Sequence, residues 1–161
     1  HETEKEYHNI CGRILSLNLN LERTLNFFLS NYFVYPQDHK TFVLEDFLID
    51  SNFRKRIELF KEISKREIEY KNEPFNEEET KKLVNLMIKV GEVRNRIAHH
   101  QLDYDLKTGT IRLNKGKSII KEEENITINE ELVKDMEEKV QVALKGIMDL
   151  HRKIIEKRMK R

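Results

Sequence analysis

From Ile10 to Tyr32 the apolar residues recur at three- and four-residue intervals, a spacing that fits a helix and not a strand. Ile10, Ile14, Leu17, Leu21, Leu25, Phe28 and Tyr32 form one stripe. Leu15, Leu19, Leu29 and Phe33 form a second, turned by about 140° on the same wheel. Glu22 and Asn26 interrupt that second stripe. A helix apolar on two faces needs two neighbours to cover it, and a second subunit can be one of them. The expectation is a long helix over about Glu4 to Phe33 in an all-α protein.

The same periodicity organises the rest of the chain. Tyr35 to Lys40 reads as a loop, and Val43 to Ile49 as one or two helical turns. Ser51 can cap a helix over about 52–70, with Phe53, Ile57, Phe60 and Ile63 inward. Pro74 breaks the chain. Asn76 then caps a helix with an acidic first turn, Glu79 standing in the capping-box position. Beyond residue 101 the period shortens. Leu102 to Leu106, Thr110 to Leu113 and Ser118 to Lys121 read as strands, with turns at Lys107-Thr108-Gly109 and Asn114-Lys115-Gly116. Thr127 or Asn129 caps a last helix carrying Val133, Met136, Val140, Ala143, Ile147, Leu150 and Ile154 on one side. The sum is a single domain over 1–161: an antiparallel helical bundle, with core helices at about 4–100 and 128–158. A small β-meander is inserted before the last helix, at about 102–121.

Composition narrows the function classes. The 30 basic and 29 acidic residues leave a net charge of +1, so the chain as a whole exerts no pull on nucleic acid, and any such surface must be local. Cys11 is the only cysteine, which precludes an intramolecular disulfide and suits a reducing cytoplasm. It reads as a buried apolar residue and not a nucleophile. No apolar run approaches the roughly 20 residues that span a bilayer, and no signal peptide is legible. No Gly-rich phosphate loop, HExxH motif or cysteine cluster occurs, and His99-His100 lacks a third ligand at metal spacing. Neither a metal nor another cofactor is expected.

Chemistry concentrates at Val90 to His100, the end of the third long amphipathic segment. Leu83, Leu86, Met87, Val90 and Ile97 form its stripe, and Arg94 falls in the middle of it. A guanidinium cannot give up its proton and is costly to bury unpaired. So Arg94 either pairs with a buried acid, for which Glu22 is the candidate, or points into a polar cleft where it can hold a phosphate. Asn95 lies four residues before His99, on one helix face with it. His100 follows directly, and Arg96 projects outward. His is the side chain that serves as acid or base near neutrality, and a helix C-terminus favours its protonated form.

The Arg94-Asn95-…-His99 spacing, with Ala98 and His100 beside it, resembles the signature of the HEPN superfamily (higher eukaryotes and prokaryotes nucleotide-binding domains). The likeness extends to the architecture over about 8–158: an all-helical bundle with the motif near the end of a central helix. The resemblance implies a metal-independent endoribonuclease working as a homodimer, with Arg94, Asn95, His99 and His100 as its catalytic residues. It implies attack by the RNA 2′-hydroxyl, leaving a 2′,3′-cyclic phosphate and a 5′-hydroxyl, and a toxin or phage-defence role with a cognate antitoxin or regulatory partner. The alternative from a different class is a non-catalytic module of the same shape that binds a nucleotide, RNA or a protein. The basic tail from His151 to Arg161 and Lys115, Lys117 and Lys121 read as solvated first and phosphate-contacting second.

Overall fold

The computed structural model describes residues 2–34, 38–99, 101–105, 110–114 and 126–160. It is all-α in class. The described helices are α1 (Glu2–Phe33), α2 (His39–Asp50), α3 (Phe53–Glu69), α4 (Glu77–His99) and α5 (Glu130–Met159). α1 is the hub and packs on each of the other four. Its first stripe explains this: Ile14, Leu21, Leu25 and Phe28 are fully buried, and Phe28 meets Phe60 of α3 edge-on at 5.4 Å between ring centres. Truncating an aromatic at such a position typically costs about 3–5 kcal/mol. The seven apolar positions of α5 anticipated from its spacing, Val133 through Ile154, are all buried.

Helix ends follow local hydrogen bonding. Asn52 caps α3 by accepting from the Lys55 amide. Ser51, expected in that role, closes α2 instead, its hydroxyl donating to the Leu48 carbonyl. Asn76 accepts from the Glu79 amide at the start of α4, and Asn129, not Thr127, caps α5. α2 is longer than the one or two turns expected, and residues 39 and 40 belong to it and not to the loop. The reason is a reciprocal cap: the Asp38 side chain accepts from the Lys40 amide, and the Thr41 hydroxyl accepts from the Asp38 amide. The last turn of α1 is tied to α5 by Arg158, which donates to the carbonyls of Asn31 and Tyr32. Lys157 donates to the Glu73 carbonyl, so part of the basic tail holds backbone.

Between α4 and α5, β1 (Gln101–Asp105) pairs antiparallel with β2 (Thr110–Asn114), and β2 with β3 (Ile126–Thr127). The third strand stands at 126–127. The segment Ser118 to Lys121, expected as a strand, lies outside the described residues, as do Lys115, Lys117 and most of the two expected turns.

The second face of α1 is only partly covered. Leu29 is buried, but Leu15, Leu19 and Phe33 are 40%, 46% and 53% exposed. α2 turns Thr41 and Leu48 inward and leaves Phe42, Val43, Phe47 and Ile49 exposed on the other side.

Candidate functional site

α4 carries the motif past the end of the core. Leu83, Met87 and Val90 are buried, whereas Leu86, Val93, Arg94 and Ile97 are half-buried and Asn95 is exposed. Arg96, expected on the solvent side, is half-buried as well. The stripe therefore leaves the closed core one turn before Arg94, and the guanidinium reaches a cleft and not the bundle interior.

That cleft, of about 490 Å³, lies between the α2–α3 junction and the last turns of α4. Arg94 and Asn95 line one side, and Ser51, Asn52, Phe53 and Arg54 line the other, with Glu22 and Arg56 also contributing. Its lining holds three arginines, Arg54, Arg56 and Arg94, against two glutamates, Glu22 and Glu92. The N-terminus of α3 also opens on it, adding the partial positive charge of a helix start. A larger groove between α3 and α4 is rimmed by mixed Lys and Glu and holds none of the motif residues.

The pairing of Arg94 with Glu22 entertained from sequence does not occur. Glu22 is bonded to Arg56, with Nη2 to Oε2 at 2.6 Å and both side chains largely buried. Asn26, one turn along α1, accepts from the other half of the fork, Nη1 to Oδ1 at 2.7 Å. Asn18, one turn before Glu22, donates to its remaining oxygen, and Arg56 stacks over the Phe53 ring at 5.7 Å. The polar break in the second stripe of α1 is thus answered by α3. The signal was present in the sequence: Arg56 sits among the inward positions Phe53, Ile57, Phe60 and Ile63, where an apolar residue is expected. Arg94 meets no carboxylate within 4 Å among the described residues. Its one described hydrogen bond goes from Nη1 to Asn95 Oδ1 at 3.0 Å.

His99 is the last residue of α4. Its side chain and the whole of His100 lie outside what is described. Of the four residues singled out, the structure brings Arg94 and Asn95 together at the cleft and carries His99 to the end of the same helix. Among the described residues no cluster of three His, Cys, Asp or Glu side chains could hold a metal ion, and no helix is long and apolar enough to cross a membrane. Cys11 is buried beside Tyr7, and burial raises the thiol above its usual range, against nucleophilic use. Comparison with known proteins finds no matching family model, no matching curated sequence and no matching solved structure.

Proposed function

We propose that the chain is a HEPN-type, metal-independent endoribonuclease with Arg94 as its phosphate clamp. The observation that carries the reading is the state of Arg94. The acid of α1 that lines the cleft, Glu22, is already bonded to Arg56, so the Arg94 charge faces the cleft with the Asn95 amide oxygen as its one hydrogen-bond partner among the described residues. A planar fork of donors in that position suits a phosphate. His99, five residues on, supplies the general acid or base, Asn95 steadies the guanidinium, and His100 assists. The 2′-hydroxyl of the RNA is the nucleophile, and the products are a 2′,3′-cyclic phosphate and a 5′-hydroxyl.

One copy of the motif gives one clamp, Arg94, and one acid–base histidine, His99, for three tasks: acid, base and clamp. A composite site between two copies meets that need. The uncovered apolar residues of α1 and α2 support such an assembly, because Ile49 of α2 lines the same cleft as Arg94. A toxin or phage-defence effector, restrained by a cognate partner, is the biological role that goes with this chemistry.

The test is incubation of total RNA with the purified protein in EDTA, beside its His99→Ala, Arg94→Ala and Arg94→Lys variants. Cleavage should persist in EDTA and fall by about 10²–10⁴ in His99→Ala, the usual cost of an acid–base group. Arg94→Lys should not rescue, since an ammonium lacks the planar fork. Abolition by EDTA, or wild-type activity in His99→Ala, overturns the mechanism. RNA binding without cleavage by the wild type would favour the non-catalytic module.

A further inference from the structure

Of the two carboxylates that line the cleft, Glu22 and Glu92, the first is the one that Arg56 holds. Glu22 lines it together with Arg56 and Arg94, and its side chain keeps 17% of its exposure. In the structure Glu22 is committed elsewhere. One oxygen accepts from Arg56 and the other from Asn18, and Asn26 holds the second arm of Arg56. Two positions of α1 four residues apart thereby fix one guanidinium, a bidentate arrangement that an ammonium could not reproduce. The Arg56 Nε is buried without a partner, so the fork is held for this pairing at the expense of one of its own donors.

We propose that Arg56 is a positioning residue for the cleft. By sequestering Glu22, it keeps the Arg94 charge uncompensated and available to a phosphodiester. This rests on the reading of Arg94 as a phosphate clamp. Without Arg56 the cleft would hold a carboxylate, Glu22, with no cation of its own, and a guanidinium, Arg94, lining the same space. The two would join, and the incoming phosphate would have to displace an internal anion.

The experiment uses the full chain and a short RNA with 2′-O-methyl groups, which blocks the nucleophile so that binding is read without cleavage. Arg56→Met should weaken binding about 10- to 100-fold, the scale of one charge-assisted contact. Adding Glu22→Gln to Arg56→Met should return affinity to within a few-fold of wild type, because the carboxylate released by loss of Arg56 is then gone. Rescue is shared with a purely structural role, because Glu22→Gln also removes the carboxylate that loss of Arg56 strands, so it must come together with coupling between Glu22 and Arg94 in urea melts; a double variant as weak as Arg56→Met overturns the proposal. Wild-type binding by Arg56→Met overturns it too. A second readout needs no RNA. Urea melts of Glu22→Gln, Arg94→Ala and their combination should show no coupling with Arg56 present and clear coupling in the Arg56→Met background. If the wild type does not bind the oligonucleotide, the clamp reading fails, and the melts alone decide the exchange of partners. Absence of coupling in the Arg56→Met background sinks it. Should Arg56→Met not fold, Arg56→Gln leaves Glu22 equally unneutralised and carries the same expectations.

Discussion

Arg56 and Arg94, two of the three arginines that line the cleft, differ in what they hold, and their substitutions should separate accordingly. Arg56 is 4% exposed and bonded to Glu22 and Asn26. Removing one partner of such a buried pair strands the other and typically costs about 3–5 kcal/mol. Arg94 is half-buried with only Asn95 as its described partner, and a substitution that breaks no buried network usually stays within about 0.5 kcal/mol. Urea unfolding should therefore show Arg56→Ala strongly destabilised and Arg94→Ala nearly as stable as wild type. A large loss in Arg94→Ala would mean that Arg94 is a scaffold residue. The sequence offers Glu22 as one possible partner for Arg94, with a polar cleft as the alternative. The cation that Glu22 meets, Arg56, sits within the apolar pattern of α3, and a charged residue between apolar ones reads as a solvated position until the neighbouring helix is seen.

His151 gives a prediction of a different kind. It packs against Phe27 and Phe28 of α1, and its Nε2 is buried without a partner. Burial first, and the Arg158 charge second, push its pKa below the ordinary 6.5. The unfolded chain then binds a proton at a pH where the folded one does not. Its contribution is complete above about pH 6.5 and is lost as pH falls from there toward the folded value. Thermal melts between pH 8 and pH 5 should show this loss, and His151→Phe should flatten it. An unchanged slope in that variant would assign the effect to another group.

At the scale of elements, most of the helices were legible because periodicity and capping residues agree. α5 is the clearest case, with Asn129 at its start and seven stripe positions buried. α2 was undersized because its composition is apolar on several sides and shows no clear stripe. Its true start is set by Asp38 and Thr41, which look like loop residues until their reciprocal bonds are seen. The end of α3 offers a test of local geometry. Lys71 adopts a φ of 53°, its amide donates to the Ile68 carbonyl, and the Asn72 amide donates to the Glu67 carbonyl. That is the Schellman arrangement, in which glycine is favoured because a Cβ costs about 1–2 kcal/mol in the left-handed region. Lys71→Gly should raise stability by about 1 kcal/mol in urea melts, unfolded-state entropy offsetting part of the gain. A destabilised variant would show that the Lys71 side chain contributes more than its backbone strain takes away. Gly146 on α5 is the opposite case. A Cβ there would sit 2.5 Å from Leu83 Cδ2 on α4. The helical gain of about 1 kcal/mol for alanine competes with about 1–3 kcal/mol for overpacking. Gly146→Ala should be neutral to about 2 kcal/mol destabilised, and a more stable variant would show that Leu83 turns aside freely.

For the molecule as a whole, the doubly apolar α1 raised the question of what covers its second face. The chain itself covers only part of it, and α2 adds apolar surface where it could have supplied polar cover. Leu15, Leu19, Phe42, Val43, Phe47 and Ile49 are all between 40% and 72% exposed. Periodicity identifies such residues as helical but cannot say whether the neighbour they need lies in the same chain. Burying a large apolar side chain fully contributes about 1.5–3 kcal/mol. Six from each of two copies, starting half-exposed, would supply roughly 9–18 kcal/mol together, against about 4–15 kcal/mol that association costs in lost freedom. The expected assembly is a dimer of moderate affinity, with a Kd on the order of micromolar, and not an obligate one. Sedimentation should therefore show dimer at tens of micromolar and monomer well below that. Phe47→Asp should shift the equilibrium to monomer while leaving the melting temperature of the dilute protein unchanged, because Phe47 is 72% exposed and carries little packing. If the composite site is correct, the same variant should lose RNA cleavage in parallel with its loss of dimer. Cleavage surviving in a strictly monomeric Phe47→Asp protein would mean that one copy of Arg94 and His99 suffices, and the shared site would have to be given up.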